Sequence, residues 1–318
     1  MSCYYRRSFI TTKVDHQKMS TAATNQLEEN SHRNGAISAL CAYLLWGFAP
    51  IYFKLITYIE PGEILMHRVI WSTVFLLIMI IAMKKWRLLM TVVAQPKIVL
   101  QLALSASILA MNWFLFIWAV NNNHLLDASL GYYINPLFNV ILGMLFFSER
   151  LRRNQLIAVG LAFFGVLIQL VALGTLPIIS LVLASTFAIY GLLRKRLPVN
   201  AFIGLFIESL IMLPIALAYW LFFVESSTSN MALNTNSLNF TLIMAGIVTT
   251  APLLFFTAAA KRLTLSTLGF FQYLGPSIMF LLATFYYQET MKSAELITFI
   301  FIWAALALYS LDSFKKRA

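Results

Sequence analysis

The sequence predicts an all-α polytopic membrane protein with ten transmembrane helices, arranged as a 5+5 inverted-topology repeat with both termini in the cytoplasm. Three observations support this prediction: the apolar composition, ten apolar runs between charged clusters, and an internal repeat of opposite orientation. Of the 318 residues, 60% are hydrophobic and only 11% are charged, whereas soluble domains carry about a quarter charged residues. A chain of this composition cannot cover a water-exposed surface with polar groups, which excludes both a soluble domain and a disordered chain.

The apolar runs are each about 20 residues long, the length that crosses a ~30 Å hydrocarbon core. We place them at 34–56, 64–83, 98–120, 129–147, 155–173, 176–193, 201–223, 240–260, 266–287 and 294–311. The chain then divides into a polar cytoplasmic N-terminal tail at 1–33, a first five-helix repeat at 34–173, a second five-helix repeat at 174–311, and a basic cytoplasmic C-terminal tail at 312–318. The N-terminal tail lacks the apolar core of a secretory signal, so we expect no processing. Met19 offers a second start, which makes residues 1–18 a candidate extension.

Lysine and arginine predict the orientation, because cytoplasmic loops are enriched in them. All basic residues except Lys54, Arg68 and Lys292 lie in the two tails or in alternate loops. The net charge of +11 therefore marks the cytoplasmic face of a membrane. This distribution argues for the lipid bilayer as a partner and against a nucleic acid.

The repeat becomes visible when the chain is shifted by 140 residues against itself. The shift aligns Pro136 with Pro276, Glu149 with Glu289, and Tyr133 with Tyr273. Because each half has an odd number of helices, the second half must enter the membrane with the opposite orientation. Repeats of this kind are typical of secondary transporters, in which a site at the midplane opens alternately to each side.

Three motifs resemble a known family. The first two spans read Trp-Gly-x-x-Pro-x-Tyr-x-Lys at 46–54 and Glu-x-x-x-His-Arg-x-x-Trp-Ser at 63–72, and the fourth reads Gly-Tyr-Tyr-Ile-Asn-Pro-Leu at 131–137, followed by Glu149 and Arg150. They resemble the RarD branch of the EamA family, within the drug/metabolite transporter superfamily. The resemblance extends from about residue 34 to the C-terminus. It implies ten helices around a central cavity and a permease of the bacterial inner membrane, in a branch often named for an effect on chloramphenicol sensitivity.

Ionisable side chains within spans are the first candidate site residues, because a charge in hydrocarbon is costly unless it faces protein or water. Lys54 and Arg68 fall in the outer halves of the first two spans, where they would line a vestibule and attract a carboxylate. The alternative for Lys54 is snorkelling to the interface. The alternative for Arg68 is a structural pair with Glu63 or Glu60.

Two further ionisable groups are candidates for proton coupling. His67 lies on the same helix face as Glu63, four residues earlier, and would either position Arg68 or titrate near neutral pH. Glu208 is the only acidic residue deep within a predicted span and would carry a proton. The alternative is a structural glutamate that hydrogen-bonds to a neighbouring helix. The 140-residue shift pairs it with Arg68 across the midplane, so we expect no direct contact between those two.

Prolines within spans are candidate hinges, because each removes a backbone hydrogen bond and kinks its helix. Pro136 and Pro276 are partners in the repeat, so matched bends in the fourth and ninth helices form the predicted gate. Pro50 and Pro252 are further candidate hinges. Static helix shape is the alternative for all four.

Aromatic and amide side chains complete the predicted substrate site. The candidate substrate-binding residues are Trp46, Lys54, His67, Arg68, Trp71, Asn112, Trp113, Tyr133, Asn135, Tyr190 and Tyr273. An aromatic cavity suits a flat amphipathic solute better than a sugar or an inorganic ion. Packing and interface anchoring are the alternatives for the aromatic residues, and hydrogen bonding between helices is the alternative for the asparagines.

Catalysis is not supported by the sequence. It contains no phosphate-binding loop for ATP, which implies neither ATP hydrolysis nor an ATPase subunit, and its four histidines have no metal-ligand spacing, so we expect no cofactor and no metal. The leading interpretation is a secondary-active permease that exports a small amphipathic metabolite or drug, with chloramphenicol-type compounds included, by alternating access with proton coupling through Glu208 or His67. Its rivals are an uncoupled facilitator of small metabolites such as amino acids and, in a different class, a membrane-embedded enzyme or sensor.

Overall fold

The computed structural model describes residues 2–122, 125–174, 177–224, 226, 228, 230–288 and 293–315. Within these ranges the secondary structure is helical, without strands, and ten helices are long and apolar enough to cross a membrane. The ten predicted spans are therefore confirmed. We number these helices α1 to α10 in chain order.

The bounds of the helices differ from the predicted spans by a few residues at most ends. The helices are α1 (Ser2–Lys54), α2 (Pro61–Ala82), α3 (Pro96–Asn121), α4 (Leu125–Phe147), α5 (Arg153–Leu173), α6 (Ile178–Arg196), α7 (Ala201–Phe223), α8 (Asn236–Ala260), α9 (three segments between Leu265 and Tyr286) and α10 (Ser293–Lys315). The main difference is α1, which continues through the polar N-terminal region, so the predicted boundary of the tail lies inside a helix. No proline precedes Pro50 to end that helix earlier.

The basic connection between α2 and α3 contains a short helix, Trp86–Val93, that we did not predict. Leu89 and Val92 are buried in the main core, whereas half of Trp86 is exposed. Alternating burial of this kind is typical of a helix that lies along a membrane interface rather than across it.

The ninth span is interrupted at Tyr273. It consists of Leu265–Gln272, Leu274–Leu281 and a π-helical turn at Leu282–Tyr286. Pro276 lacks the amide hydrogen that would bond to the carbonyl of Gln272, where the first segment ends.

The corresponding helix of the first half, α4, is continuous although it contains Pro136. An interruption is therefore present in one of the two helices, and the matched bends at Pro136 and Pro276 stay a prediction. The neighbouring residues explain the difference. Near the break, α9 contains Gly269 and Gly275, which weaken a helix, whereas the aligned positions in α4 are Ser129 and Asn135.

The helices pair in a pattern that relates the two halves. The principal pairs are α1–α8 and α3–α6, α4–α6 and α1–α9, α2–α8 and α3–α7, and the three pairs α2–α7, α4–α9 and α5–α10. If each helix is replaced by the helix at the same position in the other half (α1 by α6, α8 by α3), each of the first six pairs becomes its companion. The last three pairs are unchanged by this replacement. This is the contact pattern expected of two equivalent five-helix units; the repeat and its orientation in the bilayer stay predictions.

Close approach of α8 to α2 depends on one glycine. A Cβ atom added to Gly246 would lie 2.5 Å from the carbonyl carbon of Trp71 and 2.6 Å from the amide nitrogen of Ser72. Both contacts are to backbone atoms, so a side chain would force the two helices apart. Small residues at such crossings are what permits helices to pack in membranes.

Replacement of Gly246 by leucine should therefore destabilise the protein by at least the ~1–3 kcal/mol typical of overpacked cores. The measurement is the melting temperature of detergent-purified protein, determined from the loss of monodisperse protein on heating. Gly160→Ala is the matched control, because no atom lies within 4 Å of a Cβ added there. Equal melting temperatures for the two variants would contradict the tight α2–α8 contact.

Candidate functional site

A cavity lies between α2, α3, α7 and α8. Its lining combines one cation, one carboxyl group, hydroxyl groups and apolar side chains, contributed by Arg68, Val69, Ser72, Leu109, Trp113, Leu205, Glu208, Ser209, Met212, Thr250 and Leu253. The space that they surround measures about 360 Å³, its open side included. Both five-helix halves contribute to it, with two helices each.

Arg68 and Trp113 form the cationic side of the cavity. The guanidinium carbon of Arg68 lies 3.1 Å from the centroid of the Trp113 ring, so the cation is stacked on the aromatic face. Within the described part of the chain, no carboxylate forms an ion pair with Arg68. The predicted alternative, a structural pair of Arg68 with Glu63 or Glu60, is therefore not what the structure contains.

Glu208 forms a buried ion pair with Arg194 of α6. The Oε1 atom of Glu208 lies 3.0 Å from Nη1 of Arg194, and the two side chains are 2% and 0% exposed. The hydroxyl of Tyr190 donates to the other carboxylate oxygen at 3.4 Å. Two donor atoms of Arg194, Nε and Nη2, are buried without a hydrogen-bond partner, so the pair is not fully satisfied.

Arg194 is the functional residue that the sequence analysis missed. We counted it among the basic residues of a cytoplasmic loop, but α6 continues to Arg196, and this extra turn places Arg194 in the protein interior. A glycine makes room for it, because a Cβ atom on Gly204 of α7 would lie 2.4 Å from Nη1 of Arg194. The sequence contained one indication of this pair. Glu208 lies deep within α7, and that span contains no cation, so the carboxylate required a partner from another helix.

An aromatic cluster adjoins this ion pair. Tyr190 stacks on Phe256 of α8 with ring centroids 6.1 Å apart, and Phe256 also contacts Trp46 of α1 at 5.9 Å. Trp46 and Tyr190, both predicted to bind substrate, thus lie beside the cavity and not in its lining. Tyr190 connects the cluster to Glu208 through its hydroxyl.

Glu63 and His67 lie in a second buried cluster on α2, apart from the cavity lining. The Oε1 atom of Glu63 and the Nε2 atom of His67 are 3.9 Å apart, and neither atom has a hydrogen-bond partner. The Trp71 indole donates to His67 Nδ1 at 3.3 Å, and the Thr228 hydroxyl donates to Glu63 Oε2 at 2.9 Å. The cluster therefore ties α2 to the connection between α7 and α8.

The predicted amides connect helices. Asn112 of α3 donates to the carbonyl of Leu183 and to the hydroxyl of Thr186 on α6, both at 2.8 Å. Asn135 of α4 donates to the carbonyl of Ala184 on α6 at 2.6 Å. Each side-chain amide is already engaged with protein, which favours the interpretation of Asn112 and Asn135 as contacts between helices.

The remaining predicted residues lie outside the cavity lining. Lys54 is exposed at the end of α1, with its Nζ atom 3.1 Å from the centroid of the Tyr287 ring. Tyr273 donates through its hydroxyl to the carbonyl of its repeat partner Tyr133 at 3.2 Å, which joins α9 to α4. The candidate hinges Pro50, Pro136, Pro252 and Pro276 all lie within helices.

Glu149 joins the end of α4 to the start of α9. Its two carboxylate oxygens accept hydrogen bonds from the backbone amides of Leu265 at 2.6 Å and Ser266 at 2.9 Å. A carboxylate at this position satisfies amides that a helix leaves free at its N-terminus. Its repeat partner Glu289 lies outside the described residues.

The described residues contain no group of three or more histidine, cysteine, aspartate or glutamate side chains that could hold a metal ion. The polar groups of the cavity instead form a cation stacked on an indole, a carboxyl group shared with a buried arginine, and a pair of hydroxyls, Ser72 and Thr250. Ten helices able to cross a membrane, with such a polar and apolar cavity between them, are typical of a multi-pass membrane transporter.

Comparison with known proteins identifies the family. Residues 33–171 match the EamA-like transporter family. Protein RarD of Escherichia coli strain K12 is 53% identical over 287 residues, which cover 90% of this chain and 97% of that protein. An uncharacterized transporter of Vibrio cholerae is 52% identical over 91% of this chain and 95% of the relative, and the chloramphenicol-sensitive protein RarD of Pseudomonas aeruginosa is 31% identical over 88% of this chain and 94% of the relative. The chain belongs to the RarD branch of the EamA-like transporter family and is a multi-pass protein of the bacterial inner membrane.

A solved structure supports the fold independently. A protein crystal structure that is 18% identical in sequence superposes with a TM-score of 0.70, over 90% of this chain and all of that one. At this identity the likeness concerns the arrangement of helices alone. The resemblance to the RarD branch, inferred from the motifs in the first, second and fourth spans, is confirmed by the relatives.

Replacement of Arg194 by glutamine should destabilise the protein strongly, because it leaves the Glu208 charge buried without a partner. Loss of one member of a buried pair typically costs about 3–5 kcal/mol. The measurement is the melting temperature of purified protein. Arg196→Gln, two residues on and exposed, is the control, and it should have little effect.

A second variant separates the lost pair from lost packing. Arg194→Met combined with Glu208→Leu removes both charges and should recover part of the stability lost in Arg194→Gln. If the double variant is less stable than the single one, the ion pair is not the origin of the loss.

Proposed function

We propose that this protein is a secondary permease that exports a small amphipathic metabolite or drug by alternating access. The observation that carries the proposal is the shared cavity, to which the first half contributes α2 and α3 and the second half contributes α7 and α8. A site built in this way changes its opening when one half moves against the other. The match to the EamA-like transporter family and the relative of Vibrio cholerae named as a transporter support this assignment over an enzyme.

The interrupted α9 supports a bending movement. Its break at Tyr273 lies next to Pro276 and faces α4, which contains Pro136. A helix without a continuous hydrogen-bond ladder bends there with less loss of hydrogen bonding than an intact helix. Rocking of the two halves about α4 and α9 would then open the cavity to each face of the membrane in turn.

Glu208 is the proposed proton carrier, because it lines the cavity and also bonds to a second helix. Proton binding would remove the charge that holds Arg194 and would weaken the contact between α6 and α7. Substrate binding and helix packing would thereby depend on the same carboxyl group. His67 is the second candidate; its contacts with Glu63 and Trp71 place it outside the cavity lining, which favours Glu208.

The substrate is tested with purified protein in liposomes. A panel of labelled metabolites and antibiotics should include chloramphenicol, since one relative is named for sensitivity to it, and amino acids, since they are the substrates expected of an uncoupled facilitator. Exchange of at least one labelled compound across the bilayer, saturable and absent from empty liposomes, is the expected result. The absence of exchange for the whole panel, with protein that still melts cooperatively, would count against a permease of this substrate class.

For any compound that is exchanged, Glu208→Gln should abolish its accumulation under an imposed pH gradient and preserve exchange without a gradient. Glutamine retains an oxygen for Arg194 but carries no titratable proton. Because it also removes the counterion of the buried Arg194, the variant must melt cooperatively before its transport is compared. Glu60→Gln is the matched control, because Glu60 is exposed at the start of α2. Full gradient dependence in Glu208→Gln would assign Glu208 a structural role, and no gradient dependence in the unmodified protein would favour the uncoupled facilitator.

A further inference from the structure

Arg68 is the cation of the cavity, and it has no carboxylate counterion in the described part of the chain. Each buried acid on the neighbouring helices is engaged elsewhere. Glu208 bonds to Arg194 at 3.0 Å, and Glu63 lies 3.9 Å from His67 and accepts from Thr228. Among the described residues, the π-face of Trp113 contacts the Arg68 cation directly, whereas the Glu208 carboxyl group of the same cavity is paired with Arg194.

A guanidinium group keeps its charge under all physiological conditions. An aromatic face compensates for part of the lost hydration of such a cation and leaves its N–H edges free, because stacking uses the face of the guanidinium plane and not its rim. The free edge of a stacked arginine matches a carboxylate, which accepts two parallel hydrogen bonds from it. The geometry of Arg68 and Trp113 thus provides a preformed anion site within the cavity.

The rest of the lining limits what can carry that anion. The hydroxyls of Ser72 and Thr250 lie 2.5 Å apart and are hydrogen-bonded to each other, with Ser72 donating to the carbonyl of Gly246 at 3.2 Å. Apart from Ser209 and Glu208, the rest of the lining consists of apolar side chains, among them Leu109 and Leu253.

We propose that the cavity binds a small monocarboxylate, with its carboxylate on Arg68 and its apolar body against Trp113 and the leucine side chains. Arg68 is the one cation that the described part of the chain contributes to this lining, which matches one carboxylate; a second carboxylate would have no cation of its own there. This inference rests on the proposed function, because it assigns a substrate class to the same cavity. Inorganic anions carry the negative charge of a carboxylate but lack an apolar body that would contact Trp113 and the leucine side chains.

The test compares each carboxylate with its own neutral amide. Detergent-purified full-length protein is melted at constant pH and ionic strength with butyrate, hexanoate, benzoate or 3-phenylpropionate, and with the corresponding carboxamides. At least one monocarboxylate should raise the melting temperature in a saturable manner, by mass action on the folded state, while its amide does not. Chloride, sulfate and succinate at equal concentrations should fail to reproduce that rise.

Variants of the site give the second part of the test. Arg68→Gln should raise the apparent Kd of the stabilising carboxylate by about ten- to a hundredfold, the range expected for loss of a charge-assisted hydrogen-bonded pair. Arg68→Lys, which keeps the charge and loses the planar edge, should lie between this variant and the unmodified protein. Arg87→Gln, in the short helix between α2 and α3, is the control and should leave the Kd unchanged.

The inference is wrong if no monocarboxylate stabilises the protein, if amides or inorganic anions stabilise it equally, or if Arg68→Gln binds the carboxylate as tightly as the unmodified protein. The comparison of acids with amides uses the unmodified protein, so it decides the matter even if Arg68→Gln fails to fold.

Exchange in liposomes separates this inference from the proposed function. Exchange of neutral solutes without any binding of carboxylates would overturn the carboxylate site and leave the permease. Specific binding of a carboxylate without exchange of that compound or of any other would retain the site and overturn the permease.

Discussion

The hydrocarbon core of a membrane contains no water, so the buried polar groups of this protein depend on the protein itself for their hydrogen bonds. Many of the resulting bonds involve α6. Asn112 of α3 and Asn135 of α4 donate to it from the first half, and Glu208 of α7 pairs with its Arg194 from the second half. A helix of the second half is thus bonded to helices of both halves. The packing around α6 decides where the polar groups of the cavity are placed.

The charges near the cavity are compensated to different degrees, and this difference gives the site its chemistry. Glu208 has a cation and a tyrosine hydroxyl as partners, whereas among the described residues Arg68 contacts the ring of Trp113. This difference is the basis for proposing Glu208 as a proton carrier and Arg68 as an anion site. Because Tyr190 touches both Glu208 and the aromatic cluster, a change at the carboxyl group would reach α1 and α8 through packed side chains.

Much of the architecture followed from local patterns, and part of the site did as well. The ten spans could be predicted because an apolar run of about 20 residues has the length of a helix that crosses the bilayer. We selected Arg68, Trp113 and Glu208 as candidates from the sequence. A charged group within a span is costly unless it faces protein or water, and a large aromatic group there can line a cavity. The sequence did not distinguish between ligand binding and helix contact for Asn112 and Asn135, because an amide within a span is suited to both roles.

Hydropathy and short motifs are properties of contiguous residues, so the class of protein, the number of spans and the family could be predicted without a structure. Which polar groups meet depends on how the helices pack. The tertiary structure moved Arg194 from a predicted loop to the interior, it placed Glu63 with His67 and not with Arg68, and it interrupted α9 while α4 stayed continuous. The physical reason is that a buried charge is stabilised by whatever packs against it. In a helical bundle that partner belongs to another helix, at a distance along the chain that no local pattern encodes.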